Sequence, residues 1–198
     1  MKVPLTIGDY LSRGAAVYGE RTAVFDEPGT AGSLGALTYR ELESRARGMA
    51  LALDGMGVDH GERVAIVSPN AARFLISYFG VSAYGRILVP VNYRLNADEI
   101  GYIVEHSGTS VLLVDPESEE SLRGISAKHK IVLDGTADAE LFAPAADGAL
   151  PAVPYRAPEP CGSSWQERRR LPRPSSALRA SWAGSSSRST ASPRPPPC

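Results

Sequence analysis

Between Val64 and Leu95 two short apolar runs frame one amphipathic stretch. Val64-Ala65-Ile66-Val67 and Ile87-Leu88-Val89 show no polar alternation, the pattern of strands covered on both faces. The stretch from Asn70 to Tyr84 predicts a helix, led in by Ser68-Pro69. Phe74, Leu75, Tyr78, Phe79 and Val81 fall mostly at three- and four-residue steps, and Ala71, Ile76 and Ala83 widen that stripe, which predicts a mostly buried helix. Strand, helix and strand in so few residues predict a right-handed, parallel βαβ crossover.

The flanking patterns extend this unit. Thr6 opens a first helix with Asp9 in its first turn, Leu11, Ala15 and Tyr18 on one stripe, and Gly19 as its stop. Thr22 to Phe25 predicts a strand, and the Pro/Gly-rich run from Asp26 to Gly35 a loop between strands. Thr38 and Glu41 have the spacing of a capping box, and Leu42, Ala46, Met49, Ala50 and Leu53 repeat along one face behind it. Gly55-Met56-Gly57-Val58 stops that helix. Asn96 and Glu99 repeat the capping signature, followed by the stripe Ile100, Ile103 and Val104 and a stop at Ser107-Gly108. Val111 to Val114 is another apolar strand, Asp115-Pro116-Glu117 predicts the start of a surface helix, and Ile131 to Leu133 a last strand. Strands and helices alternating at this spacing define an α/β fold with a parallel-rich sheet and flanking helices.

Composition divides the chain into residues 1–140 as the α/β unit, 141–160 as a linker and 161–198 as a disordered Ser/Arg/Pro-rich tail. The formal net charge of −1 hides the division. Residues 1–160 hold 14 Lys+Arg against 21 Asp+Glu, whereas residues 161–198 hold 7 Arg and one acid, Glu167. Cys161, Cys198, Trp165 and Trp182 also fall in that last segment. No run is long enough to span a bilayer and the N-terminus has no apolar segment of signal-peptide length, so a cytoplasmic location is expected.

Several linked segments resemble the AMP-forming acyl-CoA synthetases and related adenylating ligases. Leu37-Thr38-Tyr39-Arg40-Glu41-Leu42 looks like that family's first core motif. Gly61-Glu62-Arg63-Val64-Ala65-Ile66 is similar to its "GDRVAI" strand entry, and Gly85 to Leu95 to its "GAVxVPxNxRL" segment. Glu99 to Ile103 and Val111 to Asp115 resemble the pattern that follows, so the resemblance covers roughly residues 5 to 135. It implies the N-terminal subdomain of an adenylating-enzyme fold. It also implies activation of a carboxylic or fatty acid by ATP, with magnesium, to an acyl-adenylate that coenzyme A then takes up as a thioester. The positions that carry the motifs are Thr38, Tyr39 and Glu41, and Asn92, Tyr93 and Arg94.

The family's phosphate loop, resembling "TSGTTGxPKG", should follow where this chain reaches Pro158. Such a loop cradles a triphosphate with backbone N–H groups and a Lys. Here stand Cys161-Gly162-Ser163-Ser164-Trp165 and Arg168-Arg169-Arg170. Gly184-Ser185-Ser186-Ser187-Arg188 is small and polar but lacks the Thr-Gly-Pro-Lys order and a preceding strand. No catalytic residue of the family carries over, no cofactor-binding residue is assigned, and this chain alone is expected to bind none of ATP, magnesium or coenzyme A. Without the segments it would lean on, it is also expected to expose apolar surface and aggregate.

Other features have blander readings. Gly55, Gly57 and Gly61 follow a helix rather than a strand, and so read as a helix stop and turn, not a dinucleotide loop. His60, His106 and His129 are widely spaced, against a metal site, and Cys161 with Cys198 cannot make a zinc site alone. Glu117, Glu119 and Glu120 read as a solvated helix start. Asn92, Tyr93 and Arg94 lie just past a strand's carboxyl end, where α/β folds hold ligands; either they contact one or Arg94 pairs with an acid such as Glu99 and fixes the loop. The Arg-rich tail lacks interleaved aromatics, against nucleic-acid binding. The alternative to a synthetase segment is a non-catalytic protein-binding or regulatory module with a basic flexible tail; neither reading fixes an oligomeric state.

Composition and motif both change near residue 160, as a shift of reading frame in G+C-rich DNA would produce. The gene sequence from codon 140 onward tests this: an intact frame, displaced by one base and encoding the phosphate loop, is the expected finding. Stop codons throughout the other frames would remove the explanation.

Overall fold

The computed structural model describes residues 6–29, 32–149 and 151. Helix α1 (Ile7–Tyr18) leads to the strands β1 (Thr22–Phe25) and β2 (Ala36–Thr38), which pair antiparallel. Helix α2 (Tyr39–Gly55), strand β3 (Arg63–Val67), helix α3 (Ala72–Ser82) and strand β4 (Ile87–Val91) follow. Helix α4 (Ala97–Ser107), strand β5 (Thr109–Val114), a single 3-10 turn (Pro116–Ser118) and strand β6 (His129–Val132) complete the order. Strands β3 to β6 form one parallel sheet in the order β4-β3-β5-β6. The α/β, parallel-rich expectation holds. No described helix is long and apolar enough to cross a membrane.

Alternate residues of the central strands face opposite layers. Val64 and Ile66 of β3, with Val111 and Leu113 of β5, pack against α2 and α3. Ala65 and Val67, with Leu112 and Val114, pack against Ile100 and Val104 of α4. Both faces of β3 and β5 are therefore covered, as their unbroken apolar runs predict. Strand β4 departs from that expectation: it is an edge, with Ile87 half exposed and Pro90 exposed. Ile87 N–H donates to Glu62 O, so its alternate partners Leu88 and Pro90 turn their backbone groups to the free side. Pro90, which has no N–H to lose, costs the ladder nothing there.

Helix α3 starts at Ala72, and its most buried face is Ala72, Arg73, Ile76, Ser77, Gly80 and Val81. The larger stripe residues Phe74, Leu75 and Phe79 are only half buried, and Tyr78 is exposed. The reason is close helix packing: a Cβ on Gly80 would lie 2.8 Å from Ala46 O and 2.9 Å from Met49 Cβ of α2. Small residues win the interface because bulk would push the helices apart. The surface helix expected from Asp115 shrinks to the 3-10 turn, with Asp115 Oδ1 accepting from Glu117 N at 3.0 Å. Ser118, Ser121 and Gly124 are weak helix formers, and Leu122 is instead drawn under the sheet, fully buried. Gly19 ends α1 in a right-handed conformation, so no left-handed turn requires glycine there; a Cβ would stand 2.8 Å from the guanidinium of Arg40, an exposed side chain free to move aside. Leu141 and Phe142 sit in the core, so packed chain reaches the start of the stretch read as linker. The tail at 161–198 lies outside the described residues.

Carboxylates hold the starts of α2 and α3 in two different ways. Glu41 Oε2 accepts from Thr38 N at 2.8 Å and from Thr38 Oγ1 at 2.9 Å, while Glu41 N donates to Thr38 Oγ1 at 3.2 Å, closing the capping box. Helix α3 has Ala71 at its cap position and no side-chain cap of its own. Asp26, buried and 46 residues away, supplies it: Oδ1 accepts from Ala72 N at 2.7 Å and Oδ2 from Leu34 N at 3.0 Å. A negative charge there also meets the positive end of the helix dipole.

Two outcomes follow for stability. The hydrogen bond from Thr38 N, then that from its hydroxyl, hold the Glu41 carboxyl below its ordinary pKa. A lowered folded pKa gives stability that is present at neutral pH and lost as pH falls through it. Thr38→Ala should cost about 1 kcal/mol and lower Tm by about 2–4 °C at pH 7. The gap from the parent should narrow in acid, read by thermal melts from pH 7 to 3; equal melts at pH 7 would contradict the capping role. Asp26→Ala leaves two N–H groups without their acceptor and should cost about 3 kcal/mol in urea unfolding. Asp26→Asn, which keeps one acceptor, should cost clearly less, with fast hydrogen exchange at only one of Ala72 and Leu34.

Candidate functional site at the carboxyl edge of the sheet

Parallel strands place all their carboxyl ends on one edge, and ligands of α/β folds collect where neighbouring loops diverge to opposite faces. That point here is β3. Its loop, Ser68 to Ala71, turns to the α3 face, whereas the loops after β4 and β5 turn to the α4 face. A cleft opens on each side of it.

Toward β4, a cleft of about 520 Å³ is lined by Ser68, Asn70, Phe74, Pro90, Val91, Asn92, Tyr93 and Arg94. Asn92 Oδ1 accepts from Arg94 N at 3.1 Å, a local turn that carries the chain into α4. Arg94 Nε donates to Tyr93 Oη at 3.2 Å, and its guanidinium lies 5.5 Å from that ring's centre. Glu99 is engaged elsewhere, accepting from Asn96 N at 3.1 Å in the second capping box. The loop is therefore fixed by Asn92 and by Arg94 against Tyr93, and not by an Arg94–Glu99 pair.

Toward β5, a cleft of about 430 Å³ includes Asp26, Glu27, Arg73, Asp115 and Glu117. Arg73 is buried, with Nε 2.7 Å from Asp138 Oδ2, itself fully buried. Neither atom makes an aligned hydrogen bond, so the contact is an ion pair without good N–H direction. Asp138 Oδ1 accepts from Gly135 N at 2.7 Å, and the guanidinium lies 5.6 Å from the centre of the Phe142 ring. The one cation of this cleft is thus already neutralised, amid four carboxylates. A triphosphate needs converging N–H groups and free cations. The described residues of this cleft do not fit it.

Thr38, Tyr39 and Glu41 lie elsewhere, at the start of α2. Tyr39 covers Gly14 of α1, whose Cβ would stand 2.8 Å from Tyr39 Cδ1. Glu41 lines a cleft of about 570 Å³, where Arg40, Arg45 and Arg47 face Glu41, Glu43 and Asp147. Those charges compensate one another and none of the lining residues belongs to the parallel sheet, so the candidate site is taken at the sheet edge instead. The two motif groups are not brought together. Among the described residues, no three His, Cys, Asp or Glu converge as for a metal.

Sequence reasoning missed Asp26, Arg73, Asp138 and Arg86. Arg86 stands where the resembling pattern has Ala. It is buried against the end of α2, with Nε donating to Val58 O at 2.9 Å, and it is paired with Asp54. An Arg within an apolar helix face was the legible signal for Arg73; Asp26 and Asp138, both in loops, had none.

Three comparisons bear on this geometry. A family model described as "AMP-binding enzyme" matches residues 11–172, well beyond residue 135 where the motif resemblance stops. A long-chain-fatty-acid–CoA ligase of Thermus thermophilus is 34% identical over 172 residues, covering 83% of this chain and 31% of the relative. Among solved structures, a long-chain-fatty-acid CoA ligase from Rhodopseudomonas palustris matches with TM-score 0.63 and 32% identity, covering 77% of this chain and 39% of that one. The N-terminal domain of FACL13 from Mycobacterium tuberculosis matches with TM-score 0.66 and 29% identity, covering 78% and 40%. The chain spans about a third or less of the length of the curated relatives it matches. With a family model over most of its length and the same parallel unit in these ligases, the chain belongs to the AMP-binding enzyme family.

Proposed function

We propose that this chain is the N-terminal portion of an AMP-forming acyl-CoA ligase. The whole enzyme would join a carboxylic acid, a fatty acid above all, to ATP with magnesium, releasing pyrophosphate and forming an acyl-adenylate. The thiol of coenzyme A would then displace AMP to give the thioester. Support comes from the family match and from relatives named as long-chain and medium-chain fatty-acid, feruloyl and acetate/butyrate CoA ligases. We place the enzyme in the cytoplasm. Asn92, Tyr93 and Arg94 would shape the substrate cleft, because their loop borders the divergence point at β3.

Alone, this chain should not adenylate an acid. The observation that carries this is the charge of the cleft beside β5, where four carboxylates surround one Arg already paired with Asp138. Purified chain, given ATP, magnesium and a panel of short, long and aromatic acids, should release no pyrophosphate above background. It should also yield no hydroxamate when the adenylate is trapped with hydroxylamine. Acid-dependent release of pyrophosphate by this chain would overturn the reading.

A further inference from the structure

We propose that Asp147 is a site of covalent self-modification: its side chain closes onto the Gly148 nitrogen and the peptide reopens as isoaspartate, while the fold protects the other two Asp-Gly pairs, Asp54-Gly55 and Asp134-Gly135. This stands independently of the functional reading above.

An aspartate before glycine is the vulnerable case, since no β-carbon shields the nitrogen that follows. The Gly148 nitrogen attacks Asp147 Cγ. A C–N bond forms, the bond from Cγ to its hydroxyl breaks and water leaves, and the amide proton passes to solvent. Water then opens the five-membered imide. Addition at the former main-chain carbonyl gives isoaspartate, and addition at Cγ returns aspartate. One water leaves and one enters, so the composition is unchanged and no oxidant or further reactant is needed. What the fold controls is whether nitrogen and Cγ can meet.

The three pairs differ in that respect. Gly55 is the last residue of α2, so its N–H belongs to the helical ladder, and Asp54 is paired with Arg86. Gly135 N donates to Asp138 Oδ1 at 2.7 Å, and Asp134 Oδ1 accepts from Thr136 N at 2.7 Å and Ala137 N at 2.9 Å. In each, carboxylate and nitrogen are both held, and held apart. Asp147 and Gly148 are exposed, between Ala146 and Ala149. A single bond, Ala149 N to Ala146 O at 3.1 Å, closes their turn, with Gly148 at φ +77°. Among the described residues, neither the Asp147 carboxylate nor Gly148 N makes a hydrogen bond of its own. Nothing lies within 4 Å of where a Gly148 Cβ would stand, so no neighbour stops the pair from turning. Opening that one bond is local and costs little beside opening α2.

The chain just before the turn is tied down. Arg45 Nη1 donates to Phe142 O at 2.7 Å, and Ala145 N to Ser44 O at 3.0 Å. The extra main-chain carbon of isoaspartate is therefore absorbed at 146–149, and the packed core does not move.

The test ages the purified full chain at neutral pH and physiological temperature, and locates isoaspartate by electron-transfer fragmentation, which splits its main-chain Cα–Cβ bond. Isoaspartate should accumulate at 147 about tenfold or more faster than at 54 or 134. In urea the three rates should draw together, because the protection belongs to the fold. The aged chain should melt with the fresh one. Gly148→Ala should slow the reaction several-fold, and Asp147→Ser should abolish the signal at 147 and leave the other two unchanged. Should Gly148→Ala disturb the turn, Asp147→Ser and the urea series decide. Equal rates at the three pairs in the folded chain, a faster rate at 54 or 134, or no isoaspartate at 147 under conditions where the urea-unfolded chain forms it would each overturn the proposal.

Discussion

The start of helix α3 is held by a carboxylate from another part of the chain, and the geometry of the sheet edge depends on that contact. Asp26 joins Ala72 N and Leu34 N, so one buried side chain fixes the helix, the loop 32–35 and the turn leaving β3 together. Leu34 packs against the core from the same loop, so the cap and that contact together hold it beside the sheet's carboxyl edge. At the next residue, Arg73 reaches from the same helix to Asp138 and Phe142. A cap and an ion pair, both at the first turn of α3, thus tie β1, β3 and the segment after β6 to one point. A buried pair of this kind contributes little net stability against an apolar replacement, but removing one partner strands the other charge.

What the sequence made legible is local and periodic. The α2 stripe Leu42, Ala46, Met49, Ala50 and Leu53 is buried throughout, and both capping boxes, Thr38/Glu41 and Asn96/Glu99, close as their spacing implies. Each depends on neighbours within four residues. The unbroken run of β5 likewise reports its burial on both faces.

What was not legible depends on contacts distant in sequence. The apolar run of β4 resembles that of β5, and only the sheet order makes it an edge. In hindsight Pro90 carried the distinction. On α3, size rather than hydropathy chose the inner face, because Gly80 and Ser77 admit α2 where Phe74 and Tyr78 cannot. The clefts follow the same logic: the position of Asn92, Tyr93 and Arg94 after a strand is legible in the sequence, whereas Asp26 and Asp138 lie in loops that no periodic pattern marks.

The two clefts beside β3 share Ser68 and Asn70 yet differ in electrostatics, and the difference limits what each can do. The charged cleft holds ionised groups that need water or partners, so covering it with apolar matter would incur a large desolvation cost. The cleft beside β4 has no such obstacle, since Arg94 projects from an exposed loop and rests on Tyr93. Apolar surface beside an unpaired edge strand is what a parallel sheet ordinarily keeps covered. The charged side keeps its carboxylates in water, so of the two clefts the one beside β4 is the less costly to cover.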